Sequence, residues 1–292
     1  VQIENEMGYA NTDRDYSRPA DRDYEKPIPE ALKAISLKDS GKESIAPDSP
    51  VSPWKKQFGR HAHEAFSAWY HSLYVNEIAE AGKQVYPIPM ITNVMVGEQS
   101  FEEPGLCYNA GAATGRMLDI WKAGAPALDV IGPDIYNQNR REYTRICDAY
   151  TRPDNPLFIP ESPVRGEANA MNALLAAADY GAVGICCFGA ESALDEKGEV
   201  LEECRDMALT MRILSSMAPL LLRYRNTGNV HAFAEDEFET SHYLKLPSYH
   251  VVAKFLRRHK MYFGYTADTV SEEGRKKAQV RGSALLVQTG PC

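Results

Sequence analysis

A chain of 292 residues with 44% hydrophobic and 25% charged residues has apolar material for one large core or two smaller ones. Its net charge of -8 argues against a polyanionic partner such as nucleic acid, and no run of about 18 apolar residues is present to span a bilayer. Six cysteines spread over that length make no disulfide scaffold.

In chain order, "VQIENEMG" alternates as a strand over residues 1 to 5 and then carries Asn5, Glu6 and Gly8. The first residue is Val1, already inside that strand, so the reading expects a truncated N-terminus and no legible localisation. Residues 9 to 60 are rich in Asp, Arg, Lys, Ser and Pro and far longer than an ordinary strand-to-helix connection, which reads as a long loop beside an active site. "HEAFSAWYHSLYVNEIAEAGK" is apolar at helical spacing and closed by Gly82. Strands at 86 to 92, 127 to 132, 156 to 160 and 182 to 188 then alternate with helices in "AATGRMLDIWKAGAP", "RREYTRICDAYTRP" and "EANAMNALLAAADYG", the first and last capped by Gly124 and Gly181.

A further helix is expected at about 202 to 217, and "AQVRGSALLVQTGPC" reads as one or two β-strands. The alternation implies five parallel strands in an α/β fold, either an open sheet or most of a barrel. Cys186 and Cys187 read as small core residues, and the basic clusters Arg257, Arg258, His259, Lys260 and Arg275, Lys276, Lys277 as solvated faces. "HAHE" offers His61 and His63, which face differently at a helix start, so no metal is expected. With no phosphate-cradling glycine loop or dinucleotide fingerprint, no cofactor is expected either.

Each expected strand ends on polar residues: Asn5 and Glu6, Asn93, Asp134 and Tyr136, Glu161, and Glu191. The C-terminal ends of parallel strands share one face, so these side chains converge from distant positions. Two carboxylates across a cleft are what glycoside hydrolysis needs, one protonating the leaving oxygen and the other attacking or activating water.

"QIENEMG" resembles the fourth-strand motif of β-galactosidases of glycoside hydrolase family 35, and more loosely family 42, and "PLFIPES" resembles their seventh-strand segment. "YPIPMITN" and "RMLDIWKAGAPALDVIGPDIY" are similar to a bacterial family-35-like group with a C-terminal β domain, which would begin at "GSALLVQTGP". The resemblance covers nearly the whole chain. It implies a partial (β/α)8 TIM barrel, strands four to eight, over residues 1–222, followed by a connecting segment and the start of a β-rich domain over 223–292.

The function implied is that of a retaining β-galactosidase-like glycosidase acting on an oligosaccharide or polysaccharide, in a bacterial periplasmic, secreted or cytoplasmic setting. Glu6 matches the acid/base, Glu161 the nucleophile, Asn5 the amide that binds the hydroxyl beside the anomeric carbon, and Tyr136 the tyrosine that holds the nucleophile. Glu4, Asn93, Glu191 and Trp54 are the further sugar-binding candidates, Trp54 as a stacking platform from the long loop. Trp69 and Trp121 fall at core spacing on helices. "CCFGAES" departs from the pattern, offering Phe188 and Gly189 where related hydrolases carry a tryptophan near the eighth strand. The competing reading is a sugar-binding or structural fragment without turnover, because half a barrel exposes strand edges and lacks the loops of strands one to three.

Overall fold

The computed structural model describes residues 1–38, 51–96, 103–235, 241–246, 249–255 and 282–290. Both basic clusters lie outside the described residues. The fold is α/β with small sheets, and it divides into two compact units: 1–163 with 182–188, and 164–181 with 189–292.

The first unit contains α1 (Arg18–Tyr24), α2 (Pro53–Phe58), α3 (Ala62–Val85), β1 (Ile91–Met95), α4 (Leu118–Gly124), β2 (Val130–Asp134), α5 (Arg140–Tyr150), β3 (Phe158–Ile159) and β4 (Gly184–Ile185). β1 and β2 pair in parallel, as do β3 and β4. Val1 to Ile3 lie along the edge of β1 away from β2, bridged in parallel at Gln2 and Ile91. β2 and β3 are neighbours: the N–H of Ile135 donates to the carbonyl of Glu161 at 2.9 Å, and a Cβ on Gly132 would overlap the Phe158 carbonyl and Pro160. Contacts at 132 with 158 and at 135 with 161 rise together, so this pair runs parallel too. Five extended segments therefore lie side by side in sequence order, and among the described residues they do not close into a barrel.

β2 is buried at every position, as a parallel strand covered on both faces should be. Buried Asn155 extends its pairing: its Oδ1 accepts from the N–H of Ile131 at 2.9 Å, and its Nδ2 donates to the carbonyls of Ile131 and Tyr150, each at 3.0 Å. α5 starts on the Asn139 side chain, which accepts from the N–H of Glu142, and buries Tyr143, Ile146, Cys147 and Tyr150, one stripe at helical spacing. α3 presents Ala65, Ala68, Ser72, Val75 and Ala79 inward, and Gly124 of α4 comes so close to Ser72 that a Cβ would overlap its hydroxyl. Trp121 of α4 is buried as expected, its Nε1 donating to the Gly111 carbonyl at 3.1 Å.

Several boundaries differ from the sequence expectation. Residues 1 to 5 do not form a regular strand, because Glu4 and Glu6 adopt φ of 57° and 45° and end the pairing after Ile3. The strand expected at 86 to 92 begins at Ile91, since Pro87 and Pro89 cannot donate to a ladder. Gly82 does not close α3, which runs on to Val85; its missing Cβ makes room for Met90 instead. The helix expected across 112 to 126 is confined to α4. Within 9 to 60, α1 and α2 start on Ser17 and Ser52 caps, each followed by a proline in the first turn, so the described part of this segment is partly helical. Cys186 is exposed and Cys187 half-buried, because β4 is short and pairs only with β3 among the described strands.

The second unit contains α6 (Glu167–Ala178), α7 (Arg205–Tyr224), β5 (Val230–Ala234), β6 (Ser241–Lys245), β7 (His250–Lys254) and β8 (Ser283–Val287). β5 pairs with β8 and β6 with β7, both antiparallel. Gly181, at φ 59°, follows α6 in the left-handed conformation a terminating glycine supplies. Met171 and Leu175 of α6 pack with Ala234 and Ala232 of β5, which ties α6 to the later part of the chain and moves the division inside the 1–222 segment.

Candidate active site

Val1 to Ile3, β1, β2 and β3 deliver Asn5 and Glu6, Asn93, Asp134 and Glu161 to one place. One carboxylate oxygen from each of Glu6, Asp134 and Glu161 lies within 4.8 Å of the others. The bend at Glu4 to Glu6 matters here: positive φ takes Glu6 off the strand alternation, and Asn109 fixes the turn by donating from Nδ2 to the Glu6 carbonyl at 2.7 Å.

Asn93 is buried, 2% exposed, and organises the floor of the cluster. Its Oδ1 accepts from the backbone N–H of Glu6 and from Gln2 Nε2, each at 3.0 Å. A backbone N–H can only donate, so the amide orientation is determined and Nδ2 must face Asn5 Oδ1 at 3.0 Å and Asp134 Oδ2 at 2.7 Å. Asn5 Oδ1 also accepts from Gln2 Nε2 at 3.3 Å, which turns the exposed Asn5 NH2 group outward as a donor. Asn93 is thus an internal bracket, a correction to its expected sugar contact, because its amide is already engaged by protein groups.

Tyr136 is half-exposed and donates to Glu161 Oε2 at 2.8 Å. Burial and the Glu161 carboxylate push its hydroxyl well above the ordinary tyrosine range, so it remains a donor. Glu6 is raised by burial, offset by a hydrogen bond with Asp134 and reinforced by the Glu161 charge. Asp134, 3% exposed, is pushed up to about 9 by burial and then by the charges of Glu161 and Glu6. By spacing alone the three carboxylates could hold a hard divalent cation. Oδ2 of Asp134 and Oε2 of Glu161 already accept from N–H and O–H donors, however, and a cation would have to share them.

The remaining candidates lie elsewhere. Glu4 accepts from Tyr74 of α3 at 2.9 Å and is absent from the carboxylate cluster. Trp54 is 2% exposed and packs on Phe58 and Phe66, so it is a core residue of α2 and not a stacking platform; the apolar face of that short helix takes it inward. Glu191 is exposed on a 3-10 turn, Ala190–Ala193, of the second unit. His61 is buried beside Arg60, while His63 bonds Asp13 at 2.7 Å, so the two do not converge. Asp134 is the functional candidate that sequence reasoning undervalued, placing it among the converging strand-end residues without a role; its position two residues before Tyr136, at the end of the run "VIGPD", was the available signal.

No protein-family model matches this chain, and no curated protein matches its sequence.

Proposed function

We propose that this chain carries the catalytic pair of a retaining glycoside hydrolase, β-galactosidase-like in the sense of the family 35 resemblance, cleaving a terminal β-linked sugar from an oligosaccharide or polysaccharide. Its five in-order parallel segments correspond in this reading to strands four to eight of a (β/α)8 barrel. Sequential adjacency supports that correspondence, because doubly wound open sheets reverse strand order part-way whereas a barrel does not.

The observation that carries the proposal is the closeness of Glu6 and Glu161, an oxygen of each lying within 4.8 Å. Inverting enzymes separate their carboxyls by about 6.5–9.5 Å to admit water, whereas retaining enzymes hold them at about 5–5.5 Å. In the first step Glu161 attacks the anomeric carbon while protonated Glu6 gives its proton to the departing oxygen. In the second, Glu6 takes a proton from water, and that water displaces Glu161 from the sugar. Tyr136 holds Oε2 of the nucleophile, leaving Oε1 to attack. The outward NH2 group of Asn5 is available to a sugar hydroxyl, a contact able to strengthen in the transition state.

The test is hydrolysis of aryl β-galactosides. Glu6→Gln is expected to lower kcat/KM by about 10²–10⁴-fold with a poor leaving group and far less with a dinitrophenyl one, which needs little protonation. Glu161→Ala is expected to abolish turnover, with azide restoring cleavage to a product of inverted configuration. Dialysis against EDTA is expected to leave the rate unchanged. Wild-type rates in either variant, or no turnover of any aryl β-glycoside by the chain, would contradict the proposal.

A further inference from the structure

The cluster holds one carboxyl more than double displacement uses. Asp134 sits at the end of β2 among groups that leave it little freedom: Asn93 Nδ2 donates to its Oδ2 at 2.7 Å, while its Oδ1 is buried and receives no donor. An oxygen of the Glu6 carboxyl lies within 4.8 Å of one of Asp134, and two ionised carboxylates cannot hydrogen-bond to each other. The charges facing Asp134 are those of Glu6 and Glu161, with the Tyr136 hydroxyl and the Asn93 amide as neutral neighbours. Among the described residues, no lysine, arginine or histidine forms an ion pair with any of the three carboxylates. Three negative charges within 4.8 Å, with no basic side chain of the described residues paired to any of them, are strongly disfavoured, and one proton relieves both the repulsion and the unsatisfied oxygen.

We propose that Asp134 is a positioning residue of this site that works as a neutral acid, keeping its proton on Oδ1 and donating it in a hydrogen bond to the Glu6 carboxyl. The assignment of the proton to Asp134 rather than Glu6 follows from burial, since Asp134 is 3% exposed and Glu6 only half-buried. Asp134 transfers nothing. When Glu6 releases its own proton to the leaving oxygen, the bond from Asp134 becomes charge-assisted and strengthens, which steadies the carboxylate as it forms. The catalytic consequence rests on the hydrolase reading, whereas the protonation state does not.

The test has one arm for each. In protein labelled with ¹³C at the side-chain carboxyls, NMR is expected to find one Asp signal, missing from Asp134→Asn, that is still protonated at pH 7 and titrates towards about 9. An Asp134 already ionised at pH 7 would overturn the proposal. If Asp134→Asn fails to fold, Glu6→Gln makes the assignment, because the same signal then titrates at lower pH with one neighbouring charge removed. In the kinetic arm Asn, itself a neutral donor, is expected to retain most of kcat/KM, whereas Asp134→Ala loses about 10- to 100-fold. Equal damage from Asn and Ala would overturn the proposal, since it would mean that the negative charge is needed. A protonated Asp134 in a chain with no glycosidase activity would count against the hydrolase reading alone.

Discussion

At the scale of single residues, the geometry of the cluster turns on Asn93, whose amide joins Glu6, Gln2, Asn5 and Asp134. Proton linkage follows from the same burial. Asp134 is raised to about 9 in the folded chain, while unfolded it ionises near the ordinary value of 3.8. Between those two values the folded state binds more protons, so this group's contribution to stability is full at low pH and is lost as pH rises through that window. Wild-type stability minus that of Asp134→Asn, measured by urea unfolding, is therefore expected to decline from pH 5 to 9 with a limiting slope of about 1.4 kcal/mol per pH unit. A flat or rising difference would contradict it. Polar residues at strand ends were legible in the sequence as a set, and Glu6 and Glu161 stood out by their surroundings. The bracket role of Asn93 was not legible, because it depends on a hydrogen bond to a residue 87 positions away.

At the scale of elements, α3, α5 and α6 were located within a few residues: α5 buries a stripe at helical spacing, whereas α6 is buried all round from Asn169 to Ala178 and was legible from its long alanine- and leucine-rich run. It misjudged places where tertiary packing overrides local signals. The alternation of "VQIENE" suggested a strand to Asn5, yet the backbone leaves it at Glu4 and thereby turns Glu6 into the cluster. Trp54 looked like a stacking platform because it falls in the long segment read as an active-site loop, but α2 buries it beside Phe58 and Phe66. Trp54→Ala is accordingly expected to cost about 3–5 kcal/mol of stability, as a cavity in a packed core does. The KM for an aryl glycoside should stay unchanged; a KM rise with wild-type unfolding behaviour would restore the stacking role.

At the scale of the whole molecule, every member of the carboxylate cluster belongs to the first unit. Alternating strands and helices made the α/β class legible, but not where the two units divide, because α6 joins β5 through contacts between residues some 60 positions apart. No helix among the described residues is long and apolar enough to cross a membrane. The proposed mechanism has Glu6 and Glu161 acting as acid/base and nucleophile across one anomeric carbon. It is tested most directly by incubating the chain with a 2-deoxy-2-fluoro β-glycoside bearing a dinitrophenyl leaving group, which slows the second step, and mapping the adduct by peptide mass spectrometry. The account predicts one covalently attached fluorosugar, carried by Glu161. An adduct on a different residue, or none while the dinitrophenolate is released, would contradict it.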